Sequence, residues 1–398
     1  MCIQMLLGPT LAYNGLDEYQ YFMYKMAVPE SQYFGYAIPA TLAFIIGLHI
    51  TAGMLKGEIL NQKEIVKYVR YNPTMPYILI GVGFVSSVLA SFVPQSLDFV
   101  FYLLGGAKYI GVFMIILGGK KLKVLPLILV YGSIIGSSLG AGMFHDLITW
   151  LVFLLCVYAI KIKASTNLKL IGASVFTVLI LTIQLLKGKY REDTRQGQEA
   201  GIETFANAYK QSTQNQSFFN MQSLAENNVR INQGFIITNI MKTVPDKVPF
   251  SNGEEMGEIL QAALLPRLLA PNKLQAGDRY IVLKYSGIPL RSGTSMALSS
   301  MGDAYINFGV SGGVVFMFFL GLLYSEVLKA FNRHSKKFPI LLLFTPLVFY
   351  YPIRPDCELQ TILGHLVKSC FLIFVVFTIW KKQFRVFERP IELKPSFT

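Results

Sequence analysis

A succession of apolar runs, about ten of them and most near the ~20 residues that a bilayer-spanning helix needs, leaves this chain few folds to choose from. They lie near 1–14, 33–54, 76–95, 97–118, 124–142, 145–162, 167–187, 303–328, 338–353 and 357–380. In hydrocarbon every backbone N–H and C=O must find its partner within the chain, so these runs predict an all-α polytopic membrane protein. The first and ninth are short for a full crossing. The opening MCIQMLLGPTLAY has no basic leader and no small-residue cleavage site, and it reads as a short first span, not as a removed signal. A mean hydropathy of +0.46 with 15% charged residues excludes a soluble domain of ordinary composition.

The net charge of +13 raises the question of nucleic acid, but the basic residues gather in short connectors between apolar runs. These are Lys56 to Arg70, Lys120 to Lys123, Lys161 to Lys169, Lys329 to Lys337 and the tail from Lys381. Placing all of them in the cytoplasm is consistent at every turn, so a bilayer and no nucleic-acid partner is expected. Both chain ends then lie inside, and the long polar interval goes to the outer side. The expected organisation is seven helices over 1–187, a large extracytoplasmic loop over 188–302, and three helices with a cytoplasmic tail over 303–398.

An interval that long is too large for a connector in a compact bundle. Leu224, Ile231, Phe235, Ile236 and Ile240 give a loose helical pattern, and Met256, Ile259, Leu260, Ala263 and Leu264 a tighter one, so two amphipathic helices on the outer membrane face are predicted. Pro245, Pro249 and Gly253 separate them. Within the spans, Gly132, Gly136 and Gly140 recur every four residues, and Gly309, Gly313 and Gly321 suggest a similar face; both read as helix-packing surfaces.

The chain carries no phosphate-binding glycine loop, no HExxH and no GxSxG, and its four histidines are scattered. The four cysteines show no pairing or metal spacing, so no disulfide and no metal is expected. Asp303, Glu326 and Glu358 stand at span ends, with His365 and Lys368 as the intramembrane exceptions, which weakens a proton-coupled transporter. What remains is a set of cations on one side of the membrane: Arg230, Arg267, Lys273 and Arg291 in the loop, and Arg354 at the boundary. Guanidinium presents a planar, permanently charged fork that fits phosphate oxygens. Each also has a plainer reading. Arg230 lies four residues after Glu226, the spacing of a helical ion pair; Arg267 is placed to face lipid headgroups; Arg354 is placed to snorkel.

At VRINQG (229–234), LLPRLLAPNK (264–273) and GTSMALSSMGDAYINFGVSGG (293–313) the chain resembles the oligosaccharide repeat-unit polymerases, the Wzy-type O-antigen and exopolysaccharide polymerases. The resemblance is strongest over about 225–321, and its most specific piece is the acid-x-Tyr-x-Asn-Phe-Gly run. Two departures stand out. Asp303 replaces the Glu of many relatives, and where many carry a Gly-x-Arg-Gly-like element in a middle span this chain reads SLGAGMFHD, with His145 and Asp146 and no arginine.

The resemblance implies a GT-C-like membrane glycosyltransferase of the bacterial cytoplasmic membrane, with its large loop on the periplasmic or extracellular side. It would use an undecaprenyl-diphosphate-linked oligosaccharide, need no metal or nucleotide sugar, and work with a chain-length regulator as a possible partner. In such a reaction Arg230, Arg267, Lys273, Arg291 and Arg354 are the expected diphosphate contacts, and Arg230 also stabilises the leaving group. Asp303 is the first choice of general base and His365 the second. Structural roles compete with both: an acid at a helix start stabilises the helix dipole, and a histidine in a span is commonly satisfied by an interhelical hydrogen bond. An O-antigen ligase-type transferase and a flippase of lipid-linked sugar are the alternatives.

Overall fold

The computed structural model describes residues 1–51, 62–94, 97–119, 123–196, 199–215, 221–265, 270, 273–274, 277–290 and 296–384, and every regular element among them is helical. Among the described residues, six segments are long and apolar enough to cross a membrane. These are α2 (Glu30–His49); Met75–Phe92, which contains α4 (Met75–Leu89); Asp98–Gly118, formed by α5 (Asp98–Gly105) and α6 (Ala107–Gly118); α7 (Val124–Ala141); α15 (Ser299–Ser335); and α17 (Leu359–Ile379). Between the first two spans, α3 (Gln62–Tyr71) is a short amphipathic helix. Two further apolar helices, α8 (His145–Lys161) and α9 (Thr166–Arg195), fall where the sixth and seventh runs were expected.

The expected first and ninth spans take other forms. Residues 1–14 make a π-helical turn, Ile3–Leu7, and the six-residue α1, Gly8–Tyr13. At ~1.5 Å per residue these reach about half the hydrocarbon thickness. They pack instead on the loop: Asn228 donates to the Gly8 carbonyl at 3.0 Å and the Gln233 N–H to the Gln4 carbonyl at 3.0 Å. The first segment thus docks on the loop through Met5, Gly8, Pro9 and Ala12 while Ile3, Leu7 and Leu11 stay exposed, and it forms no full-length spanning helix. The ninth is a 3₁₀ turn, Pro339–Phe344, continued by α16 (Thr345–Val348), and most of it is buried.

Helices α2 and α15 form the long spine of the bundle. Gly47 lies against the Phe318 carbonyl and Gly321 against the Phe44 carbonyl, each so close that a Cβ would sit within about 2.2 Å of that oxygen. Backbone meets backbone there, as small residues permit in membranes. Gly313 likewise faces the Tyr36 ring. The expected packing face of α7 has no such neighbour: Gly132, Gly136 and Gly140 look onto open space.

Among its described residues the polar interval forms five helices: α10 (Ile202–Asn215), α11 (Met221–Ile231), α12 (Gly234–Thr243), α13 (Glu254–Leu264) and α14 (Arg279–Ser286). The end of α9 also runs into it. The two expected amphipathic stretches correspond to α11 with α12 and to α13, and α12 and much of α13 bury their apolar residues against protein. The last helix is bracketed by local chemistry. The Asp278 carboxylate caps it by accepting from the Tyr280 N–H at 2.8 Å, and Gly287 ends it at φ +68°.

Candidate active site

The run Asp303-Ala-Tyr-Ile-Asn-Phe-Gly309 opens α15 and joins loop to spans. Gly309 has φ +63° and ψ −161°, a conformation open to glycine, and it kinks α15. The kink frees the Ile306 carbonyl, which accepts from the Ser251 N–H at 3.0 Å. The Asn307 side-chain oxygen accepts from Ser251 Oγ at 2.7 Å and from the Met256 N–H at 2.9 Å, so it holds the first turn of α13. Tyr305 packs between the rings of Tyr36 and Phe250. Asp303 Oδ2 accepts from the Leu359 N–H at 2.8 Å and so caps α17, a different helix from its own.

Asp303 also lines a narrow cavity with Glu255, Asp278, Asn307 and Glu358, of about 30 Å³. That is room for one or two waters and none for a sugar. The other carboxylates are engaged. Glu255 accepts from Tyr285 OH at 2.6 Å and Lys284 Nζ at 3.1 Å, and Glu358 accepts from the Gly277 N–H at 3.0 Å and Thr361 Oγ1 at 2.8 Å. Burial pushes the Glu358 carboxyl above its ordinary range, against the pull of the Gly277 N–H.

A larger opening lies between α4, α5, α6, α8 and α16. It measures about 460 Å³, within the ~300–1,000 Å³ of small-molecule sites. Asp98, Lys108 and Asp146 supply its charge, and Phe101, Tyr102 and Trp150 much of its aromatic wall. Tyr109 stacks on Trp150 with centroids 3.9 Å apart, and Tyr350 stacks on the same indole at 5.8 Å. Tyr350 OH donates to Asp146 Oδ1 at 2.5 Å. Arg354 pairs with Asp356 at 3.2 Å and lies over the Tyr351 ring, and its charge reaches both His145 and Tyr350. The Arg354 charge is thus felt at His145 and Tyr350 although the segment of His145 contains no arginine.

Of the expected site residues, Asp303, Lys273, Arg354 and His365 are described in full. Arg230 occupies the last turn of α11, but its side chain, and all of Arg267 and Arg291, lie outside the described residues. Lys273 donates to the Ala262 and Leu265 carbonyls at 3.0 and 2.7 Å, closing the end of α13. His365 is buried, with Nε2 at 2.7 Å from the Leu347 carbonyl and the rings of Phe99, Tyr102, Tyr350 and Tyr351 around it. It makes no pair with Glu358.

The sequence reading missed Lys108, which sits ten residues beyond the first residue of the span Asp98–Gly118 and is a further intramembrane charge. Counting along that apolar run would have found it.

A family description, O-antigen polysaccharide polymerase Wzy, matches residues 65–383. The chain belongs to this family. No curated protein and no solved structure matches the chain. The Wzy match takes in the groove, the large loop and the Asp303–Gly309 run alike. The Wzy assignment agrees with an all-helical membrane body and makes polysaccharide polymerisation the chemistry to fit to it.

Proposed function

We propose that the protein joins oligosaccharide repeat units carried on a polyprenyl diphosphate, at the outer face of the cytoplasmic membrane, in the synthesis of O-antigen, capsule or exopolysaccharide. A hydroxyl of one unit attacks the anomeric carbon of another. The new C–O bond forms as the C–O bond to phosphate breaks, the hydroxyl proton passes to a base, and the lipid diphosphate leaves with the electron pair. The protein must therefore offer a base and a fixed positive charge in a space that accepts sugar.

One observation carries this reading: the 460 Å³ groove has an accessible carboxylate, Asp146, that accepts from Tyr350 OH within a wall of aromatic rings, and the Arg354 charge reaches that tyrosine. Asp146 is the base in this scheme, oriented by Tyr350. Arg354 stabilises the charge developing on the leaving phosphate, and the loop cations Arg230, Arg267 and Arg291 are proposed as further contacts to the diphosphate. Asp303, walled into a water-sized cavity and bonded to Leu359, holds the scaffold.

The test is the surface-glycan ladder of a deletion strain complemented with wild type, Asp146→Asn and Arg354→Ala, with membrane levels checked by immunoblot. Wild type restores long polymer, and each variant leaves chiefly single repeats, since one lost charge-stabilising donor costs about 3 kcal/mol in the barrier. Full-length ladders from both variants would remove the groove as the reaction site.

A further inference from the structure

Lys108 has no role in the scheme above, yet its surroundings are unusual for a lysine. Gly83 brings α4 against it: a Cβ there would lie 2.5 Å from the Lys108 N and 2.6 Å from its Cβ. The side chain therefore runs along α4 toward Ser87, whose Oγ accepts from Nζ at 3.2 Å while donating to the Gly83 carbonyl at 2.8 Å. The ammonium also lies over the rings of Phe84 and Tyr109, 5.3 and 5.5 Å from their centroids. Among the described residues it has no ion pair. Ser87 stands five residues before the end of the span Met75–Phe92, about 8 Å beneath that end at ~1.5 Å per residue.

A cation held below the membrane boundary costs free energy unless it faces a cavity or a partner. Lys108 lines the groove together with Asp98 and Asp146, which stand at or near the starts of their helices. The occupant that satisfies it is an anion able to descend past those carboxylates from the lipid boundary, with a polar head that the groove admits and an apolar tail left in the bilayer. A lysine binds phosphate as a point charge and needs no forked geometry.

We propose that Lys108 anchors a phosphate of the polyprenyl diphosphate carrier at the floor of this groove, so that the attached sugar is held between Tyr102 and Asp146. The proposal rests on the functional reading above for the identity of the carrier, and it assigns Lys108 to binding, not to the chemical step.

The chain has two tryptophans, and Trp150 lines the groove while Trp380 lies beyond the end of α17. In a Trp380→Phe background, the fluorescence of Trp150 in nanodisc-embedded full-length protein reports occupancy without any turnover. Geranylgeranyl diphosphate is expected to give a saturable change. Lys108→Met is expected to weaken its apparent Kd at least tenfold, and Lys108→Arg to stay within about threefold of the parent. Geranylgeraniol should give a response that Lys108→Met does not alter, and inorganic pyrophosphate a weaker one, marking the lipid-linked anion as the ligand.

An unchanged Kd in Lys108→Met, or pyrophosphate binding as tightly as the lipid diphosphate, would overturn the proposal. The ladder assay separates the two readings: long polymer in the deletion strain itself overturns the polymerase function, whereas lipid diphosphate binding that Lys108→Met leaves unchanged, in a protein whose deletion abolishes long polymer, overturns only the anchor.

Discussion

Asp303 and Asp146 each stand in the opening turns of an apolar helix, and their surroundings differ in kind. The Asp303 carboxylate caps α17 across a helix boundary in a space of about 30 Å³, while Asp146 faces an open groove and takes the Tyr350 proton donor at 2.5 Å. Asp303→Asn keeps an oxygen for the Leu359 N–H, so thermal unfolding in detergent should match wild type and long polymer should persist. Asp303→Ala removes the cap and should lower stability by about 1 kcal/mol. Loss of polymer in the Asn variant with unaltered melting would make Asp303 a chemical group after all. The sequence shows an acid at a helix start in both places, which is why it cannot rank them: capping and proton transfer ask for the same residue type, and only the space around the carboxylate distinguishes them. The meeting of Tyr350 with Asp146 is similarly invisible, because the two are remote in the chain and no local pattern links them.

At the scale of the helix, Gly309 shows what an irregular residue does for its neighbours. Its φ of +63° with ψ of −161° costs any other residue about 1–3 kcal/mol, and Gly309→Ala should lower the melting temperature of the purified protein and loosen α13, read as faster proteolysis of the loop. Gly132→Ala is the paired control. Its Cβ meets nothing within 4 Å, and alanine is the better helix former by about 0.5–1 kcal/mol, so its melting temperature should be equal or higher. Both glycines belong to four-residue repeats of the same appearance. Spacing marks a smooth helix face but not whether a second helix arrives to use it: α15 receives α2 at Gly313 and Gly321, and α7 receives nothing at its own set. Hydropathy made the long spans legible for the opposite reason, since lipid itself is their partner and each helix carries its own evidence.

For the molecule as a whole, the first residues are the sharpest departure. Apolarity predicted a span with its leading end in the cytoplasm, whereas Ile3–Tyr13 packs on α11 and α12 of the large loop and on Tyr33, whose hydroxyl donates to the Met5 carbonyl at 2.7 Å. Burial by protein and burial by lipid select the same residues, so composition could not tell them apart. The cysteines make this measurable. Cys2 is exposed, Cys156 lies on α8 within an apolar stretch, and Cys357 is buried with its thiol pushed up to about 12 by desolvation. If the loop faces outward, a membrane-impermeant maleimide added to spheroplasts should label Cys2 and spare Cys357; protection of Cys2 until the membrane is opened would put its segment on the cytoplasmic side.

The cap that Asp303 gives to Leu359 and the grip of Asn307 on the start of α13 also impose a timetable on biosynthesis. The ribosome finishes the large loop before it reaches either residue, so α13 lacks its hold on α15 until then, and α17 gains its cap only on packing beside α15. A nascent chain halted just short of 303 would therefore leave α13 undocked from α15 and more open to proteolysis, and maturation of the loop is completed by helices that are translated after it.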